Sequence, residues 1–87
     1  MKVIKRDSRL QEFDLEKIKR TLRNASDDIN QPMNQGDLNS ISDEIEKRIF
    51  RDYKDTVPSA EIRNIINDTL RGFGFSKIAE SYINSII

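Results

Sequence analysis

Four stretches of the chain place apolar side chains at every third or fourth position, and this repetition constrains the fold more than any other feature. Leu15, Ile18, Leu22, Ala25 and Ile29 make the first stripe, and Leu38, Ile41, Ile45 and Ile49 the second. Ile62, Ile65, Ile66, Thr69, Leu70 and Phe73 make the third, and Ile78, Ala79, Tyr82, Ile83 and Ile86 the fourth. A 3.6-residue period lays each stripe along one face of a helix, and that face must be buried against something. The spacing therefore predicts four amphipathic helices. The first runs from Leu15 to about Ser26 behind an Asp14 N-cap, and Gln31 to Gly36 breaks it. Asp37 is expected to cap the second helix and Ser59 the third. Gly72 and Gly74 should end the third, and Ser76 starts the fourth.

What precedes the first helix has a different period. Val3 to Phe13 holds two short apolar-containing runs around Asp7-Ser8, which reads as a β-hairpin with a two-residue turn, and Thr56-Val57 supplies a brief third strand before Pro58. The expected class is α+β: a small β-hairpin or three-stranded sheet capping a four-helix bundle. With 87 residues, and neither an internal repeat nor a linker-like tract, residues 1–87 read as one domain.

The chain has no Cys and no His. That removes disulfides, thiolate metal sites, thiol nucleophiles and histidine proton shuttles, leaving carboxylates, lysines and tyrosines. A self-contained enzyme is not expected, and no catalytic residue is assigned. Asp43, Glu44 and Glu46 point to a metal only weakly, because most such carboxylates are solvated, so no metal site is assigned either. Glu61 and Asp68 carry no sign of a shared cleft. No apolar run approaches the roughly 20 residues that span a bilayer, and Met1 to Arg6 lacks a signal-peptide core. A cytoplasmic protein with no membrane partner is expected.

Lys+Arg and Asp+Glu balance at 15 each, but unevenly along the chain. Residues 1–23 hold 8 basic and 4 acidic side chains, a balance of +4, and residues 24–87 hold 7 and 11, a balance of −4. One basic end can receive a compact anion without making the whole molecule a polyanion binder. Nucleic acid is an improbable partner, because the cations are not interleaved with aromatics that could stack bases.

The most informative cluster is Lys5-Arg6-Asp7-Ser8-Arg9. A two-residue Asp7-Ser8 turn sets Arg6 opposite Arg9, and facing like charges are destabilising. Lys17, a cation in the first turn of a helix, opposes the macrodipole. A phosphate group would relieve both. Asp7, Glu12 and Glu16 could do so locally, however, and charge pattern alone favours a solvated face. Val3, Phe13, Ile18 and Ile62 are likewise accounted for as core.

Three segments together resemble one family. Val3-Ile4-Lys5-Arg6-Asp7-Ser8-Arg9-Leu10-Gln11-Glu12-Phe13-Asp14-Leu15-Glu16-Lys17-Ile18 looks like the opening of an ATP-cone domain, with its apolar strand, Lys-Arg-Asp-Gly turn, second strand and helix carrying Lys-Ile. Pro58-Ser59-Ala60-Glu61-Ile62-Arg63 and Ile78-Ala79-Glu80-Ser81-Tyr82-Ile83 resemble the same family's third and fourth helices. Such domains are regulatory modules of ribonucleotide reductases and of a repressor of reductase genes. The resemblance implies a non-catalytic domain that binds ATP or dATP, with Mg2+, and whose partner is a reductase subunit or another ATP-cone. It implies that Lys5 and Arg6 contact phosphates, with Lys17, Arg63 and Ser59 nearby. It also implies that Val3, Phe13, Ile18 and Ile62 flank the adenine, and that Gln11 and Asp14 make polar contacts to base or sugar. A protein-interaction module that keeps the scaffold without nucleotide affinity is the alternative. Two departures stand out. Ser8 replaces the family's Gly, where a positive φ costs Ser more, and Ile86-Ile87 stands where the family carries a basic residue.

Overall fold

All four helical stripes become helices in the computed structural model, which describes residues 1–85. The elements are β1 (Lys2–Ile4), β2 (Leu10–Glu12), α1 (Leu15–Asp28), α2 (Gln35–Asp52), β3 (Thr56–Pro58), α3 (Ser59–Gly72) and α4 (Ser76–Ser85). The stripes meet in one core. Leu22, Ile41, Ile45, Ile49, Leu70 and Ala79 have no exposed surface, and Ile66 and Ile78 are nearly as deep. Each helix packs against two others, α1 on α2 and α4, and α3 on α2 and α4, so the four close a ring around these side chains.

The sheet has the order β2-β1-β3, with β1 antiparallel to β2 and parallel to β3. Pairing β1 in parallel with β3 requires a crossover, which α1 and α2 provide. Val57 in β3 is fully buried, and Val3 and Phe13 pack against the same core, so the sheet is sealed onto the helices by apolar contact.

Several local expectations are corrected. Asn34, not Asp37, caps α2: its Oδ1 accepts from the Asp37 N–H at 2.7 Å, which makes Asp37 a first-turn residue. Ser59 is the first residue of α3 and Pro58 the N-cap, with no side chain capping the first turn. Phe73 leaves the third stripe because α3 ends before it, and it is 44% exposed. Ile86 lies outside the described residues, as does Ile87.

The hairpin differs most. Ile4 pairs with Leu10, the Lys5 N–H donates to the Arg9 carbonyl (2.8 Å), and the Ser8 N–H donates to the Lys5 carbonyl (2.9 Å). The loop is thus Arg6-Asp7-Ser8, three residues rather than two. Lys5, not Arg6, faces Arg9. The cause is Ser8, whose φ of 71° ends the loop on a left-handed residue, as three-residue hairpin loops usually do. A non-glycine side chain in that conformation costs about 1–2 kcal/mol. Ser8→Gly is therefore expected to stabilise the chain by about 0.5–1 kcal/mol after glycine's larger entropy loss is subtracted. In a domain of this size that raises Tm by a few degrees in a thermal scan.

Candidate functional site

The hairpin, α1, α3 and α4 converge on one hollow of about 240 Å³. Period-two alternation turns Val3, Lys5, Gln11 and Phe13 toward it from the hairpin, and helical spacing does the same for Lys17, Ile18 and Thr21 of α1 and for Ser59, Ile62 and Arg63 of α3. Asp14, Glu12 and Tyr82 complete the lining. Every residue that the resemblance assigned to the nucleotide lies here except Arg6, which sits exposed in the turn and outside the lining.

The charges in the lining are not equally committed. Glu12 is paired with Lys2 across the strands, and that ammonium holds its carboxyl below the usual glutamate range. Asp14 caps α1, its Oδ1 accepting from the Glu16 N–H at 3.0 Å. Lys5, Lys17 and Arg63 make no ion pair among the described residues. Lys5 and Arg63 are moreover half-buried, where an unneutralised charge is dearer than at the surface. The acids at the rim are occupied and the cations are not, so the hollow presents net positive potential to whatever enters. The uncapped first turn of α3 at Ser59 adds N–H groups to the same side.

Its walls are apolar. Ile18 and Ile62 are buried, and Val3 and Phe13 half-buried. Phe13 is braced from outside by Phe50 of α2, edge to face at 5.5 Å between ring centroids and 83° between planes. An apolar slot edged by unpaired cations suits a ligand with a flat, weakly polar part and an anionic part.

Glu12, Thr21 and Tyr82 were not anticipated. Thr21 lies four residues after Lys17 and three after Ile18, so helical spacing could have identified it. Its hydroxyl donates to the Lys17 carbonyl (2.9 Å). Tyr82 was read only as core, and it is core, at 4% exposure. Burial raises its phenol pKa, with Arg63 acting weakly in the opposite direction. A buried tyrosine needs a place for its hydroxyl, and this was the available signal.

A larger concavity, about 700 Å³, lies between the end of α1 and α4, lined by Asp28, Ile29, Gln31, Lys77, Glu80, Ser81 and Asn84. Size favours it, but chemistry does not: its lining has two carboxylates for one lysine and a single large apolar side chain. Among the described residues, no three His, Cys, Asp or Glu side chains gather as a potential metal-ligand group, Asp43, Glu44 and Glu46 included. No described helix is long and apolar enough to cross a membrane.

Comparison with curated proteins returns no match. Among protein families, the ATP cone domain matches residues 1–85, a span that includes every element lining the hollow. With nearly the whole chain matched, the protein belongs to the ATP-cone family of nucleotide-binding regulatory domains.

Proposed function

We propose that this chain is a single non-catalytic ATP-cone module that binds ATP or dATP in the hollow between hairpin and helices. Nucleotide identity then alters its association with a ribonucleotide reductase subunit or another ATP-cone in the cytoplasm. The observation that carries this reading is the meeting of Lys5, Lys17 and Arg63, all without ion pairs among the described residues, around a slot walled by Val3, Phe13, Ile18 and Ile62. The slot takes the adenine by apolar contact and the cations take the phosphates. Gln11, Asp14 and Ser59 supply polar contacts at its edge. Arg6, exposed in the turn and outside the lining, keeps its phosphate role on the resemblance alone.

The residues present fit such a ligand. Mg2+ would arrive on the phosphates, which are its habitual ligands. Regulation by this means needs only about 1–3 kcal/mol of differential affinity between two association states. The reading is tested by thermal scans with and without ATP plus Mg2+. Ligand at 100 times Kd adds about 2.7 kcal/mol, so Tm is expected to rise by roughly 10–20 °C. Ribose should leave it unchanged. A flat scan at millimolar nucleotide replaces this reading with the protein-interaction module.

A further inference from the structure

The register of the hairpin promotes a residue that the family motif leaves aside. Because the loop has three residues, Lys5 faces Arg9, and strand alternation puts both on the side occupied by Val3 and Gln11. Lys5, Arg9, Leu10 and Gln11 line a second hollow of about 270 Å³, which shares Lys5 and Gln11 with the central one. No carboxylate belongs to its lining. On the other flank, a hollow of about 400 Å³ is lined by Lys17 and Arg20, but also by Glu12 and Asp14. A polyanion leaving the central slot thus has one exit lined by two carboxylates and one lined by none, where the neighbouring carboxylate, Asp7, is already paired with Arg9.

We infer that the outer phosphates of a bound nucleoside triphosphate leave through the Lys5–Arg9 side, and that Arg9 is a phosphate-contacting residue of this chain. The inference rests on the nucleotide reading above. At present Arg9 is held by Asp7: Nε lies 2.6 Å from Oδ2, and the Arg9 backbone N–H donates to Oδ1 at 3.2 Å. The Arg9 side chain is 77% exposed in that pair, and exposed pairs contribute little to stability. A guanidinium has five donors, of which one carboxylate uses at most two, and it fits phosphate bidentately. A phosphate group, carrying more charge than Asp7, can therefore share or take over Arg9 at little cost. Asp7 keeps the side chain ordered beside Lys5 and competes with the ligand for it.

Calorimetric titration of the full chain at low salt with ATP, and with AMP in competition, tests this in wild type, Arg9→Gln and Asp7→Asn. Arg9→Gln is expected to lower ATP affinity about tenfold, in keeping with the loss of a charged hydrogen-bond partner, while AMP affinity stays within about twofold. Asp7→Asn keeps an oxygen for the Arg9 N–H, so the turn survives, and removal of the competing charge is expected to raise ATP affinity severalfold. Unchanged ATP binding by Arg9→Gln overturns the assignment. So does an equal loss for ATP and AMP, or an Asp7→Asn variant that binds ATP as poorly as Arg9→Gln. Wild-type chain that takes up no ATP overturns the nucleotide reading itself, and Arg9's role with it.

Discussion

Leu22→Ala is expected to cost about 2–5 kcal/mol, the range for truncating a buried leucine in a core that relaxes only partly around the void. Leu22 has no exposed surface and sits on the face of α1 that meets α2 and α4. Whole domains carry about 0.05–0.15 kcal/mol per residue, so an 87-residue chain has on the order of 4–13 kcal/mol in all. One such substitution removes a large share of it. The expected fall in Tm is roughly 10–40 °C. The loss reaches function as well, because Ile18 and Thr21, one turn and one residue before Leu22, line the hollow. A thermal scan checks the prediction, with Arg23→Ala, an exposed change on the same helix, expected to shift Tm by no more than a few degrees. A Leu22→Ala midpoint within a few degrees of wild type would contradict the packing described.

The double variant Lys5→Gln with Lys17→Gln should lose ATP affinity by about a hundredfold or more while retaining the fold. A hydrogen bond to a charged group is worth about 1.5–3 kcal/mol, and every 1.4 kcal/mol is a factor of ten. Neither lysine makes an ion pair among the described residues, so neither removal orphans a carboxylate. Relief of local repulsion should, if anything, leave the free protein slightly more stable. The wild-type ATP affinity should also fall with ionic strength, and less steeply in the variant, since fewer screened contacts remain. Calorimetry across a salt series checks both statements. Undiminished affinity in the double variant would show that these cations do not hold the phosphates.

The helices were legible because each stripe repeats often enough to fix its period. Leu38, Ile41, Ile45 and Ile49 admit no strand reading, and all four are buried. Boundaries were less legible. Asn34 and Asp37 are both capping types three residues apart, and only the backbone decides that Asn34 accepts and Asp37 donates. Phe73 continued the apolar period past the point where the backbone turns toward Gly74, whose φ is 86°. Periodicity carries no record of where a helix stops. The hairpin register turned on Ser8 entering the left-handed region, a conformation that residue type makes improbable rather than impossible, and a one-residue change in the loop exchanged Arg6 for Lys5 as the partner of Arg9.

The candidate site was legible in a different way. Charge pattern alone favoured a solvated face, because a sequence does not show which acids are already engaged. The geometry supplies that: Lys2 occupies Glu12 and the α1 N-terminus occupies Asp14, while Lys5, Lys17 and Arg63 are left facing one slot. The resemblance had named the same side chains on motif alone. Tyr82 stayed hidden because a residue can fill the core and edge a cavity at once, and an apolar stripe shows only the first of these roles.

Amide-resolved NMR titration of the labelled chain with ATP and Mg2+ bears most directly on whether the slot, rather than the larger trough, receives the nucleotide. Saturable shift changes are expected at Val3, Lys5, Gln11, Lys17, Ile62 and Arg63, with Asp28, Lys77, Glu80 and Asn84 unmoved. Changes centred on that second group, or none at millimolar ATP, would contradict the account.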